Sequence, residues 1–203
     1  MLLNILPETI AERMKAGAVT IADQFDEVGV LFADLVGFTE LSSKTSADAL
    51  VMLLDEIFSE FDRLVEKNGL EKIKTIGDAY MVVAGAPTSL ENSLSKLANL
   101  ALEMPVALHG IATKHGISLA VRVGMHVGQV VAGVIGKKKF AYDLWGDTVN
   151  IASRMESHGS AGKIHVTEAV YRALGASFAF EARGTIKVKG KGEMPTYFLS
   201  GAS

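Results

Sequence analysis

Residues 70–76 and 79–84 read as two strands separated only by Gly77-Asp78. Such a linker predicts a tight β-hairpin, because glycine supplies the positive φ that the turn needs. Upstream, residues 46–67 carry Leu50, Leu53, Leu54, Ile57, Phe61, Leu64 and Val65 at helical spacing and end near Gly69. A second helix is predicted over residues 90–115, with Pro105 either kinking it or starting a new segment. Residues 28–33 form a short apolar strand that ends at Asp34, and residues 118–127 and 129–135 read as two further strands. The order strand, helix, strand, strand, helix, strand specifies the α+β class, a ferredoxin-like antiparallel sheet with helices on one face. Another helix is predicted from near Gly146, carrying Val149, Ile151, Ala152 and Met155, and the tail alternates short strands with turns.

The chain has 203 residues, 49% of them hydrophobic and 21% charged, enough for one large domain or one domain plus an appendage. A net charge of -3 and a basic run no longer than Lys137-Lys138-Lys139 argue against nucleic acid as a partner. The absence of cysteine excludes disulfides and thiolate metal sites and fits a reducing compartment. The most apolar stretch, residues 117–136, contains Arg122, His126, Gln129 and four glycines, so it suits strands rather than a membrane span. Its Gly124-x-x-x-Gly128 spacing is therefore not a sign of helix pairing in lipid. The amino terminus does not read as a signal peptide, because Glu8 and Glu12 follow too short an apolar run. Pro7, the spacing Leu6-Ile10-Met14 and Gly17 predict a small helix whose single apolar stripe needs a partner. That partner is either this same domain or a longer linker upstream.

Several polar residues stand out chemically. Asp34 ends a strand and Asp78 sits in the hairpin turn; in a ferredoxin-like sheet these strands can lie side by side and bring the carboxylates together. Two carboxylates at strand ends suit Mg²⁺ when phosphate oxygens supply the remaining ligands. Either aspartate alone is explained as well by a turn or a cap. Between them, Gly37-Phe38-Thr39 opens a helix, whose amino-terminal N–H groups favour phosphate. Asn150 and Arg154, four apart, share a helical face and suit a ribose and a phosphate, although a solvated surface pair fits them too. Lys187 and Lys189 lie near glycines in a loop that suits either a phosphate or a plain exposed hairpin. His126 lies in a strand pattern and reads as structural rather than as a general base.

Three segments carry a resemblance: 32–39 (FADLVGFT), 74–81 (KTIGDAYM) and 142–155 (YDLWGDTVNIASRM). Together with 188–192 (VKGKG), they closely resemble the class III adenylyl and guanylyl cyclase catalytic domain, over about residues 25–199. The resemblance implies the class III nucleotidyl cyclase fold for residues 25–203. It implies that residues 1–24 link to an upstream sensor or a membrane anchor, making this the cytoplasmic domain of a longer protein. It further implies two metal ions per active site, Mg²⁺ or Mn²⁺, held by Asp34, Asp78 and the Leu35 carbonyl. Phe38, Thr39 and Lys189 would meet phosphates, Asn150 the ribose and Arg154 the transferring phosphorus, while Lys74 and Asp143 would read the base.

Lysine donates and carboxylate accepts, which complements N1 and the N6 amino group of adenine; guanine presents the reverse pattern, and guanylyl relatives typically carry Glu and Cys there. The expected activity is adenylate cyclase, ATP to 3′,5′-cyclic AMP and pyrophosphate, in a homodimer whose two equivalent sites each draw on both chains. The alternatives are a guanylate cyclase and, from a different class, an inactive nucleotide-binding dimerisation module. The Gly-Gly-Asp/Glu-Glu-Phe hairpin of diguanylate cyclases is absent.

Overall fold

A computed structural model describes residues 6–136 and 139–202. Lys137 and Lys138 of the lysine run and the first residues of the amino-terminal segment lie outside the described residues. The elements in chain order are α1 (Glu8–Lys15), β1 (Ala22–Val36), α2 (Phe38–Lys44), α3 (Ala47–Asn68), β2 (Glu71–Ile76), β3 (Ala79–Ala84) and α4 (Ser93–His115). They continue with β4 (Ala120–Ile135), β5 (Ala141–Trp145), α5 (Asp147–Ser157), β6 (Ile164–Thr167), α6 (Glu168–Leu174), β7 (Phe178–Val188) and β8 (Gly192–Ala202).

The strand order is β2-β3-β1-β4-β6-β8-β7, with β5 paired to β4. The segment β2-β3-β1-β4 is antiparallel throughout and has the ferredoxin-like order, whereas β6 adds to β4 in parallel. The hairpin forms as expected, with Ile76 opposite Ala79 and Gly77 at φ +63°. Ser46 caps α3 by accepting from the Ala49 N–H, and Gly69 closes it in the left-handed region. Pro105 sits within one unbroken α4.

Alternation along β1 builds two cores. Leu31, Ala33 and Leu35 face the layer of α3, α4 and α6, packing on Ile57, Phe61, Leu97 and Met104. Val28, Val30 and Phe32 face the other side, where they meet Met81, Tyr142, Leu144 and Ala152. Helix α1 packs on this second side, burying Leu6, Ile10 and Ala11. Its apolar stripe is thus covered by this same domain, and the Arg13–Asp23 ion pair pins it to β1.

The reading of residues 118–135 as two strands is corrected: β4 is one continuous strand of 16 residues. Gly128 is not a turn. It is small because α5 crosses β4 there, and a Cβ at 128 would stand 2.7 Å from the Thr148 Oγ1. A Cβ at Gly124 would stand 1.9 Å from the Glu156 backbone nitrogen. Eight helical residues (148 to 156) span about 12 Å and four strand residues (124 to 128) about 13 Å, so helix and strand run in step. The two glycines form the bed of α5.

Candidate active site

Asp34 shares the even-numbered face of β1 with Val30 and Phe32, so its carboxylate lies on the α5 side of the sheet, near the end of the strand. Its neighbour on β3 is Ala79, which places Asp78 of the hairpin turn beside it. Burial raises the Asp34 carboxyl above the usual range. The charge of Asp78 raises it further, while Arg122 and the Leu35 N–H pull it back. Two mutually repelling carboxylates make an oxygen-only donor pair that a hard divalent cation would relieve. Among the described residues no group of three or more His, Cys, Asp and Glu side chains forms a complete cage, so further ligands would come from backbone and substrate.

Arg122 was not anticipated as part of this site. It stands directly opposite Asp34 on β4 and donates from Nη2 to Asp34 Oδ2 at 2.8 Å. Its Nε donates to Glu156 Oε1 on α5 at 2.7 Å. Desolvation raises the Glu156 carboxyl, Arg122 opposes that rise, and the charges of Asp34 and Asp78 add to it. The signal available in the sequence was the parity of Arg122 with Gly124, His126 and Gly128, one face of a strand otherwise free of charge.

Next to Asp34, Leu35 turns its side chain into the core and Gly37 takes φ +96°. A Cβ on Gly37 would meet the Ser118 carbonyl at 3.0 Å, so the sharp exit into α2 requires glycine. Phe38 and Thr39 follow in the first turn of α2.

Lys74 and Asp143 meet across the second face as an ion pair, and Asp143 Oδ1 also accepts the Leu144 N–H at 2.9 Å. A β-bulge makes this possible. Lys72 pairs with Val82 and Lys74 with Met81, so Ile73 is the extra residue, and Lys72 and Lys74 point to opposite faces. Lys72 accordingly reaches Asp62 of α3 on the other side of the sheet.

Asn150 and Arg154 project from the exposed face of α5, whose opposite face buries Thr148, Ile151, Ala152 and Met155. Lys189 lies exposed in the β7–β8 turn. The neighbouring Lys191 pairs with Asp147 at 2.6 Å and ties that turn to the first turn of α5. No hydrogen bond or ion pair among the described residues joins Asp34 or Asp78 to Lys74, Asp143, Asn150, Arg154 or Lys189. Among the described residues, Lys74 and Asp143 are the sequence-derived pair that bond each other directly. His126 is held by burial at a pKa of about 4 and bonds through Nδ1 to Thr167 Oγ1 at 2.8 Å, a structural position.

The Adenylate and Guanylate cyclase catalytic domain family matches residues 20–201. A protein named adenylate cyclase from Mycobacterium tuberculosis is 49% identical over 99% of this chain. The soluble guanylate cyclase subunit beta-2 of Rattus norvegicus is 43% identical over 98% of it. The chain spans 46% and 30% of the lengths of these two relatives. The guanylate cyclase domain of RhGC from Catenaria anguillulae, solved with GTP, superposes with a TM-score of 0.86 at 36% identity, covering 89% of this chain and all of that one. The adenylyl cyclase CyaB from P. aeruginosa gives 0.85 at 27% identity, covering 90% of this chain and 97% of that one. No helix among the described residues is long and apolar enough to cross a membrane. The match along nearly the whole chain and the shared fold lead to one conclusion: this chain belongs to the adenylate and guanylate cyclase catalytic domain family.

Proposed function

We propose that this chain is the catalytic region of an adenylate cyclase that converts ATP to 3′,5′-cyclic AMP and pyrophosphate. The observation that carries the choice of ATP is the Lys74–Asp143 pair. One residue only donates and the other only accepts, which matches N1 and N6 of adenine and mismatches O6 and N1–H of guanine. The M. tuberculosis relative supports the same choice. The competing reading, a guanylate cyclase, is favoured by the names of the beta-2 subunit and RhGC. An inactive binding module would bind nucleotide without turnover. Turnover of ATP against GTP with Mg²⁺ or Mn²⁺, reading the cyclic product, separates all three; preference for GTP, or no product, overturns the proposal.

In this mechanism the ribose 3′-oxygen forms a bond to the α-phosphorus. The bond from that phosphorus to the bridging oxygen breaks, pyrophosphate leaves, and the hydroxyl proton passes to water. Asp34 and Asp78, with the Leu35 carbonyl, would hold two Mg²⁺ or Mn²⁺ ions, which would supply charge neutralisation to the triphosphate and acidify the hydroxyl. Phe38 and Thr39 present the first turn of α2 to phosphate, and Lys189 meets the terminal phosphates. Asn150 orients the ribose, and Arg154 stabilises charge at the transferring phosphorus.

No direct hydrogen bond or ion pair among the described residues joins the aspartates to the base, ribose and lysine residues, and this chain carries both sets. We therefore place the active sites between two copies, one supplying the aspartates and the other the base, ribose and lysine groups. Ile76 beside the hairpin turn, Val131 and Ile135 on β4 and Trp145 at the end of β5 are large apolar side chains left exposed, as such an interface requires. Residues 1–24 are read as a transducer from a preceding sensor or membrane part. Packing of α1 against the core that holds Tyr142, next to Asp143, supports that reading.

A further inference from the structure

We propose that Glu156 is a positioning residue for the metal carboxylate Asp34, acting through Arg122. The inference rests on the metal-site reading of Asp34 and Asp78 and extends it to a residue outside the site's own ligands. Arg122 has a long side chain, and its Nη2 contact to Asp34 alone would leave the guanidinium free to swing. The second contact, from Nε to Glu156, fixes the plane of the fork. Glu156 is itself closely packed. The backbone at Met155 and Glu156 rests on Gly124 with no room for a Cβ, and His165 Nδ1 donates to the Met155 carbonyl at 2.7 Å. The side chain of Glu156 is only 12% exposed.

The charge balance gives this arrangement a consequence. One guanidinium is shared by two carboxylates, so the Asp34 carboxylate is oriented but not fully neutralised. A cation arriving at Asp34 displaces one of two Arg122 contacts, and Glu156 keeps the guanidinium. Without the Glu156 charge, Arg122 would pair with Asp34 alone and compete with the cation for it. Glu156 therefore sets how readily Asp34 takes a cation. Because Glu156 lies on the helix that carries Asn150 and Arg154, the same contact ties the aspartate group to α5.

The test is an electron-paramagnetic-resonance titration of Mn²⁺ into the full chain with 3′-deoxy-ATP, which lacks the attacking hydroxyl. Glu156→Gln keeps the size and an acceptor for Arg122 Nε but removes the charge. The Mn²⁺ Kd is expected to rise about fivefold to tenfold, the size of a lost, partly solvated charge pair. In turnover the change should fall on the cation concentration needed more than on kcat at saturating cation. In an Arg122→Met background, Glu156→Gln should produce no further rise. A Mn²⁺ titration unchanged by Glu156→Gln, or an equal rise in the Arg122→Met background, overturns the positioning role. A wild-type chain that binds no Mn²⁺ overturns the metal-site reading itself, and the positioning role with it.

Discussion

Lys74 and Asp143, 69 positions apart, neutralise each other across the face of the sheet, with side chains 38% and 16% exposed. An arriving base has to replace a contact that each residue already makes, so only a base that satisfies both is rewarded. A mispaired buried polar group costs about 1–3 kcal/mol. The double variant Lys74→Glu with Asp143→Cys is therefore expected to lower the ATP over GTP ratio of kcat/KM by roughly a hundredfold or more. An unchanged ratio, measured by competition between the two nucleotides, would show that the pair does not read the base.

Active sites shared between two copies predict complementation. Asp34→Ala and Asn150→Ala chains should each retain about 1% of activity or less, and an equimolar mixture should recover up to a quarter of the wild-type rate, because one of two sites is rebuilt in half of the dimers. Recovery is read as cyclic product after mixing and re-equilibration. Failure of the mixture to exceed its components would rule out sites shared between chains.

Gly124 carries α5 at van der Waals distance, and its β-methyl would lie 1.9 Å from the Glu156 nitrogen. Gly124→Ala is expected to exceed the roughly 1–3 kcal/mol of ordinary overpacking and to lower activity with stability. Gly110 in α4 has nothing within 4 Å of the same added atom. Gly110→Ala should instead stabilise by about 0.5–1 kcal/mol. Urea denaturation of the two variants checks the opposite signs.

A buried histidine and a half-buried glutamate set opposite pH dependences. His165 donates from Nδ1 to the Met155 carbonyl and faces Arg183 through Nε2, so the neutral ring is the one that fits, and burial lowers its pKa to about 4. The unfolded chain binds this proton near pH 6.5, so stability falls as pH drops from about 6.5 to 4, by roughly 3 kcal/mol at most. His165→Gln should flatten that loss. Glu71 is the reverse case: burial raises its carboxyl to about 7. Its neutral form favours the fold below pH 4.5, and this contribution is lost as pH rises through 7. Glu71→Gln should therefore raise Tm at pH 8 and leave it nearly unchanged at pH 4.5.

The hairpin, α3 with its Ser46 cap and Gly69 stop, and the ferredoxin-like order were all legible from residues 28–135, because local periodicity and turn chemistry decide them. The candidate site residues were likewise named from short motifs. The single β4 was not legible. A glycine that makes room for a helix packed from elsewhere looks in sequence like a glycine that makes a turn, as Gly128 did. Nor was the partner of the α1 stripe, which depends on what the rest of the chain brings against it.

The sequence by itself determined the hairpin, α3 and the candidate site motifs, because these depend on neighbours within a few positions. Only the tertiary structure decided which face each residue serves. Alternation alone would put Lys72 and Lys74 on the same side of β2; the bulge at Ile73 sends Lys72 to Asp62 and Lys74 to Asp143. It also decided that Arg122, opposite Asp34 in the β1–β4 register, would meet Glu156 of α5. Register, bulges and helix docking are long-range choices whose energy comes from contacts between distant parts of the chain, and no local pattern records them.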